Sequence, residues 1–247
     1  MKETEGGADV LLSDLFGMGV DRIVNVATDI ASSEAVIAQA KKYPGMFTAV
    51  GIHPSEIFKD GTLSESMDKL RALLDNKTEN KIVAVGEIGL DYYWKPVDKE
   101  GQALFFEAQM ELAGKYGLPV SVHDRDAHGD VYDTILRHPD VTGILHSYSG
   151  GAEIARQLVK RGWYISFSGV VTFKNAQRAR DVAATVPIDR ILLETDCPYL
   201  APEPFRGKLN RSDYIRSTGS TVGSLFGMSG EELISVAFEN ACRLFGI

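Results

Sequence analysis

The sequence predicts a single α/β domain of the TIM (β/α)8 barrel type that is one strand short. Short apolar, β-branched segments alternate with longer amphipathic ones, which is typical of βα units carrying a parallel sheet. The 247 residues suit one barrel-sized domain. No linker rich in Pro, Gly or Ser divides the chain, so a single domain over residues 1–247 is expected.

Seven segments are predicted to be strands, because each contains a short apolar, β-branched run. They are Arg22–Asp29, Phe47–Pro54, Lys81–Asp91, Pro119–Asp126, Thr142–Gly150, Trp163–Val170 and Arg190–Pro198. A closed barrel of this type has eight strands, so the predicted set lacks one. An open doubly wound sheet often carries a Gly-rich dinucleotide loop, which the sequence lacks.

Helices are predicted between the strands, where apolar residues return every three or four positions. One covers Asp98–Gly117 and ends on a glycine suited to a C-cap, and another covers Gly151–Gly162. The last helix is predicted over Ser229–Phe245, with Ser229 as N-cap and acidic residues in the first turn.

Composition narrows the class of protein. A net charge of −8 argues against a general grip on nucleic acid, although it is compatible with a nucleic-acid enzyme that holds phosphates through metal ions. No apolar run reaches the length of a membrane span, and the opening lacks a signal-peptide core, so no membrane association and a cytoplasmic location are expected. Cys197 and Cys242 are expected to be reduced, packed thiols.

Histidines and carboxylates recur where the predicted strands stop. In a parallel barrel these strand ends share one face, where active sites are built. Two or three imidazoles with two carboxylates can bind Zn, Mn, Fe or, with more waters, Mg. A single strand-end residue of this kind is more often structural, but the same placement on five segments favours a metal site. The five residues are His53, Glu87, His123, His146 and Asp196.

Two further histidines are left out of the predicted site. His128 and His138 fall in the predicted helix "AHGDVYDTILRHPD", where a solvated or helix-end role is the better interpretation.

Five motifs resemble those of the TatD-related metal-dependent DNases. The motifs are "VGIHP", "GEIGLDYY", "GLPVSVHDRDA", "GILHSYSG" and "LLETDCPYLAPEPFRGKLN", in the order and spacing of that family. The resemblance runs from about Val20 to the C-terminus. It implies an amidohydrolase-type (β/α)8 barrel and hydrolysis of DNA phosphodiester bonds, often as a 3′-to-5′ exonuclease on single strands or 3′ ends. The implied cofactor is Mg²⁺ or Mn²⁺, with Zn²⁺ as an alternative, at one or two ions per chain.

The resemblance also implies residue roles. Glu87 is the carboxylate that can bridge two metals, and His123 and His146 complete the ligands of the second. Asp196 binds the first metal and orients or deprotonates the attacking water, so that Asp196 and Glu87 are the expected catalytic residues.

Substrate contacts are expected from His53 of "GIHP" and Arg206 of "PEPFRGK", on the same resemblance. Further basic residues that follow predicted strands or lie in the next loops, namely Arg125, Lys174 and Lys208, are placed to hold a phosphate.

The chain departs from the family at its beginning. The family's first strand carries a His-x-His that holds the first metal, whereas this chain has no His before His53, and its polar opening 2–7 does not resemble a strand. A misassigned or truncated start, a natural one-metal variant and a relic without catalysis are the three explanations. At most one well-occupied metal, at Glu87, His123 and His146, is expected, and a family-like first strand is expected to raise the melting temperature.

Three functions are therefore weighed. The leading interpretation is hydrolysis of DNA phosphodiester bonds, which the five motifs favour. The second is an amidohydrolase-type hydrolase of a small ester or amide, which shares the barrel and the metal and suits the acidic charge. The third is a non-catalytic barrel that binds a partner.

Overall fold

The computed structural model describes residues 7–247, which form seven strands and nine α-helices. The strands are β1 Ile23–Val26, β2 Met46–Val50, β3 Ile82–Asp91, β4 Val120–Arg125, β5 Gly143–Leu145, β6 Tyr164–Phe167 and β7 Ile191–Leu193. The helices are α1 Gly7–Gly17, α2 Ile30–Ala40, α3 Leu63–Leu74, α4 Lys99–Tyr116, α5 His128–Arg137, α6 Ala152–Val159, α7 Gln177–Ala183, α8 Ile215–Leu225 and α9 Gly230–Phe245. Residues 1–6, which make up most of the predicted non-strand opening, lie outside this part of the chain.

The strands form one parallel sheet in sequence order, β1 to β7. This confirms the predicted barrel-type α/β fold with seven strands. Within residues 7–247 no ladder joins β1 to β7, so the curled sheet stays open between these two strands. The C-terminal strand ends lie at one edge of the sheet, as the parallel order requires.

Several strands are shorter than predicted. The segment that begins at Arg22 leaves the sheet after Val26, and Asp29 starts α2 as its N-cap. The segment that begins at Phe47 ends its ladder at Val50. The strand lengths were overestimated because apolar residues continue beyond the paired residues. Ile52 and Tyr148 are buried although they lie beyond the ends of β2 and β5, so an apolar run indicates burial and not strand pairing alone.

The inner face of β5 to β7 changes character along the strands. At the base, Ile144, Tyr164 and Leu192 pack against Ala241, Leu244 and Phe245 at the end of α9. Side chains on a strand alternate between faces, so the positions two residues on from Ile144 and Leu192 project toward the same side. Those positions hold His146 and Glu194. The sheet therefore carries an apolar plug at one end and polar side chains at the other.

The predicted helix ends follow ordinary capping chemistry. Asp98 accepts a hydrogen bond from the Gly101 N–H at the start of α4, and Gly117 ends this helix at φ 62°, in the left-handed region that glycine adopts without strain. Ser229 and Glu232 form a capping box at the start of α9. The two predicted caps, Gly117 and Ser229, are confirmed.

Among residues 7–247, no helix combines the length and the apolar character that crossing a membrane demands.

Candidate metal centre

Glu87 is turned into the site by an irregularity in β3. The β3–β4 register runs from Val85 opposite Val120 to Ile88 opposite Val122, so β3 carries one extra residue there. The neighbouring chain comes close at this point, since a Cβ on Gly86 would stand 2.7 Å from the Ser121 Cβ. Glycine is therefore required for the backbone to pass, and the bulge leaves the carboxylate facing the open end of the sheet.

Three imidazoles surround the Glu87 carboxylate. Its Oε1 lies 2.8 Å from Nδ1 of His123 and 3.7 Å from Nε2 of both His53 and His146. Burial disfavours the charged form, but the imidazoles outweigh it and hold the pKa of the Glu87 carboxyl well below its usual range. Glu87, which the sequence predicts as a metal ligand, is therefore charged and surrounded by imidazoles.

His123 is held between two carboxylates at the end of β4. Its Nδ1 faces Glu87, and its Nε2 lies 3.1 Å from Oδ2 of Asp91, which is only 4% exposed as a side chain. Burial opposes protonation of the ring, but the Asp91 and Glu87 carboxylates raise its pKa to about 9. When the ring is neutral, Asp91 retains the proton on Nε2, which leaves Nδ1 free to coordinate a metal.

His146 repeats this arrangement with its nitrogens exchanged. Its backbone N–H donates to Val122 O, which extends the alignment of β5 with β4 by one residue. Nδ1 lies 2.7 Å from Oε1 of Glu194, and Nε2 lies 3.7 Å from the nearest carboxylate oxygens of Glu87 and Asp196. Burial opposes protonation of His146, but Glu194 and Glu87 raise its pKa well above the ordinary value. Nε2 is therefore the nitrogen of His146 that is left to coordinate a metal.

His53 approaches the same carboxylate but is suited to donating a hydrogen bond. The Ser55 N–H donates to Nδ1 of His53 at 3.1 Å, so the proton of the neutral ring sits on Nε2, which faces Glu87. Burial lowers the pKa of His53 to about 4, against the pull of Glu87, which keeps the ring neutral at pH 7. His53, Glu87 and His123 have ligand-type atoms within 4.8 Å of one another, yet a protonated Nε2 cannot coordinate.

The remaining donors have the spacing that a divalent metal requires. Ligand atoms bound at about 2.0–2.2 Å from one metal stand roughly 3 to 3.5 Å apart. The separations of 2.8 Å from Glu87 to His123 and 3.7 Å from Glu87 to His146 are close to this range. Two imidazoles and a carboxylate, each imidazole held by an outer carboxylate, therefore fit a metal site.

Asp196 lies beside this donor set rather than at the end of a strand. β7 ends at Leu193, and Asp196 follows in the next turn, with Oδ1 3.7 Å from Nε2 of His146. Burial raises the pKa of the Asp196 carboxyl above its ordinary value, with Glu194 and Glu87 adding to the effect against His146. A carboxylate of raised basicity next to the metal donors can accept a proton from water.

The predicted substrate-binding cations lie around the site at different places. Arg125 ends β4, with its guanidinium 3.9 Å from the centre of the Tyr93 ring. Arg206 lies 4.3 Å from the centre of the Phe173 ring, and within residues 7–247 it makes no ion pair with a carboxylate. Lys208 lies 5.9 Å from the Phe205 ring centre, and no ion pair within the described residues involves Lys174. The roles predicted for these cations remain predictions.

Two carboxylates of the site were missed at the sequence level. Asp91 and Glu194 hold the outer nitrogens of His123 and His146, and each lies in a motif already quoted, at "GLD" and "LLETD". Their positions at strand ends could have indicated a site role, because Asp91 is the last residue of β3 and Glu194 directly follows β7.

Of the remaining predictions for histidine and cysteine, one is wrong and the others are confirmed. His128 begins α5, and His138 follows its last turn with Nε2 3.0 Å from Glu107, so both have the helix-end positions predicted for them. Cys197, expected to be packed, is exposed: its thiol meets the hydroxyls of Thr195 and Ser212 at 3.2 and 3.5 Å, because the chain has already left the sheet. Both cysteines are free thiols, as predicted.

The sequence of this chain is similar to those of known proteins over most of its length. The family model described as TatD related DNase matches residues 2–246. The uncharacterized metal-dependent hydrolase YabD of Bacillus subtilis is 39% identical over 231 residues, covering 92% of this chain and 88% of its own. The uncharacterized metal-dependent hydrolase YcfH of Escherichia coli is 40% identical over 230 residues, with coverages of 90% and 85%.

Solved structures give the same result at the level of the fold. The crystal structure of YjjV, a TatD homologue from Escherichia coli, aligns with a TM-score of 0.89 at 29% identity, covering 97% of this chain and 92% of that one. A sequence-family match across nearly the whole chain and relatives at about 40% identity leave one assignment. This chain belongs to the family of TatD related DNases.

Proposed function

We propose that this chain is a metal-dependent hydrolase that cleaves phosphodiester bonds of DNA. The observation that carries the proposal is Glu87 between two imidazoles, each of which is held by an outer carboxylate and turns its other nitrogen inward. This is the ordering found around metal ligands and is not needed for a structural ion pair. The description of the family as DNases and the naming of its relatives as metal-dependent hydrolases support the same reaction class.

Glu87, His123 and His146 would hold the metal. A mixed set of this kind suits Mn²⁺ or Zn²⁺, and Mg²⁺ where water supplies more ligands. A bound divalent cation lowers the pKa of water and neutralises charge on phosphate oxygens. We expect one well-held ion per chain, because a second ion would have to share Glu87 and would add, within residues 7–247, only the carboxylate of Asp196, whose Oδ1 lies 3.7 Å from Nε2 of His146.

The protein's own groups then divide the work. Asp196, whose carboxyl has a raised pKa, takes the proton of the attacking water. His53 donates its Nε2–H to a phosphate oxygen, a role suited to a ring that stays neutral because its pKa is about 4. Arg125 and Arg206 offer permanent positive charge to neighbouring phosphates.

The test is cleavage of a 5′-labelled single-stranded oligodeoxynucleotide with added Mg²⁺ or Mn²⁺, read as product lengths over time. We expect metal-dependent cleavage, with a one-nucleotide ladder from the 3′ end for an exonuclease. Glu87→Gln should lose metal binding and cleavage together. His138→Ala serves as the matched control, since His138 pairs with Glu107 at the end of α5.

Two results would count against this proposal. Turnover of small esters or amides without DNA cleavage would favour the wider amidohydrolase-type reaction. Metal binding that survives Glu87→Gln unchanged would remove the assignment of the site itself.

A further inference from the structure

We infer that Tyr93, Trp94 and Arg125 form a stacking site for the bases of single-stranded DNA beside the metal centre. These three residues are called the aromatic platform below. The inference rests on the proposed function for the identity of the polymer, and it adds the part of the protein that selects unpaired bases.

The platform consists of two exposed rings and one cation. Tyr93 is 49% exposed and Trp94 63%, with ring centres 4.9 Å apart in an edge-to-face arrangement. The Arg125 guanidinium lies 3.9 Å from the Tyr93 ring centre and 5.6 Å from that of Trp94. Adjacent large aromatic rings left open to solvent at the rim of a polar cleft are typical of a binding surface.

The Asp91 carboxylate contacts both the metal centre and the aromatic platform. One of its carboxylate oxygens lies 3.1 Å from Nε2 of His123, while the other accepts the backbone N–H groups of Tyr93 and Trp94 at 2.9 and 3.4 Å. On β4, Arg125 follows His123 by two residues and so lies on the same side of the sheet, roughly 7 Å further on. A base one or two nucleotides from a phosphate at the metal centre can therefore reach the platform.

The charge of the platform suits a phosphate backbone. Arg125 is exposed, and within residues 7–247 no carboxylate comes within ion-pair distance of it. Exposed aromatic rings next to an unpaired cation are the combination by which proteins hold single strands without reading their sequence. In a duplex the faces of the bases are covered by their neighbours, so the platform favours single strands and frayed ends.

The chain provides its own reporter for binding. It contains two tryptophans, and Trp163 is only 2% exposed, so a ligand in solution meets Trp94 alone. In the presence of EDTA, which prevents cleavage, an oligothymidylate is expected to change the Trp94 fluorescence saturably. An oligonucleotide of the same length built from abasic sites carries the same phosphates and should leave the signal nearly unchanged.

Substitutions test the assignment with a matched control. Tyr93→Ala and Arg125→Ala, followed by Trp94 fluorescence, and Trp94→Ala, followed by the anisotropy of a labelled oligonucleotide, should each weaken binding roughly 5- to 100-fold. Trp94→Phe should retain most of the affinity, which separates stacking from misfolding. Phe238→Ala and Arg22→Ala alter a second cation–aromatic pair, 5.5 Å apart where β1 begins, and should leave binding unchanged.

Two outcomes overturn the inference: equal affinity of wild-type and Trp94→Ala protein for the single strand, or equal affinity of the wild type for single strand and duplex. Binding in EDTA does not depend on catalysis. Absence of cleavage would therefore count against the proposed hydrolysis, while a platform-dependent binding signal would still support this inference.

Discussion

The strand pair β3–β4 and the two edge strands β1 and β7 differ in what they can carry. β3 spans ten residues and β4 six, paired from Val85–Val120 to Asp91–Arg125. β1 has four residues, three half-buried and one exposed, and β7 has three. Each edge strand pairs on one side only within residues 7–247.

The site residues that lie within strands belong to strands that have a neighbour on each side. Glu87, Asp91 and His123 lie on β3 and β4, where a neighbouring strand on each side fixes the backbone and lets one carboxylate serve two partners. Between the edge strands lies a groove of about 630 Å³, lined by apolar Leu193, Ile234 and Phe238 among others. The central pair carries site residues within its strands, whereas the edge strand β7 contributes Glu194 and Asp196 only from the turn that follows it.

The largest effect on metal affinity is expected when an outer carboxylate is removed. Asp91→Asn and Glu194→Gln each remove the charge that holds the outer nitrogen of His123 or His146. We expect metal affinity to fall roughly 10- to 100-fold in each variant, with little change in melting temperature. Isothermal titration with Mn²⁺ measures the affinity.

Asp130→Asn is the control for these variants, because Asp130 accepts from the Tyr92 hydroxyl and touches no metal donor. If Asp91→Asn binds Mn²⁺ as tightly as the wild type, the outer carboxylate is structural, and the functional difference between the two regions is lost.

The same contrast explains how much the sequence could predict. The parallel barrel and the convergence of Glu87, His123, His146 and Asp196 follow from strand order and from residue types at strand ends. The carboxylates that hold the imidazoles could not be predicted in this way. Side chains on a regular strand point alternately to the two faces of the sheet, but the extra residue in β3 breaks this alternation. The face on which Asp91 lies therefore cannot be worked out from that of Glu87. After Leu193 the chain turns, and whether Glu194 or Asp196 meets Nδ1 of His146 is decided by tertiary packing.

A second prediction concerns the open edge. A strand of the family type, added ahead of α1, should raise the melting temperature by several degrees, since 1 kcal/mol corresponds to roughly 2–4 °C for a chain of this size. It would pair backbone groups of β1 and β7 that have no strand partner within residues 7–247 and cover the groove between them. Circular dichroism melts give the measurement.

The control for the added strand has the same length but carries proline at alternating positions, so that it cannot pair. Equal melting temperatures for the two extended chains would show that the edge contributes no stability that a strand can restore.

The smallest effect is expected at Asp29, which follows β1 as the N-cap of α2. Its carboxylate accepts the Ser32 N–H and pairs with Lys59. Asp29→Ala should cost about 1 kcal/mol, and Asp29→Asn less, because an amide oxygen still caps the helix. Metal affinity should stay unchanged in both, which sets this region apart from β3–β4.

The pH dependence gives the sign of the Asp29 charge effect. Burial opposes ionisation, but Lys59 and Ser32 outweigh it and lower the pKa of Asp29 in the folded protein. A lowered folded-state pKa means that the stabilisation is present above the unfolded value of about 3.9 and is lost as the pH falls through the folded value. Urea unfolding at a series of pH values should therefore show the wild type and Asp29→Asn converging in acid. A gap that widens in acid would place the stabilising charge on another group.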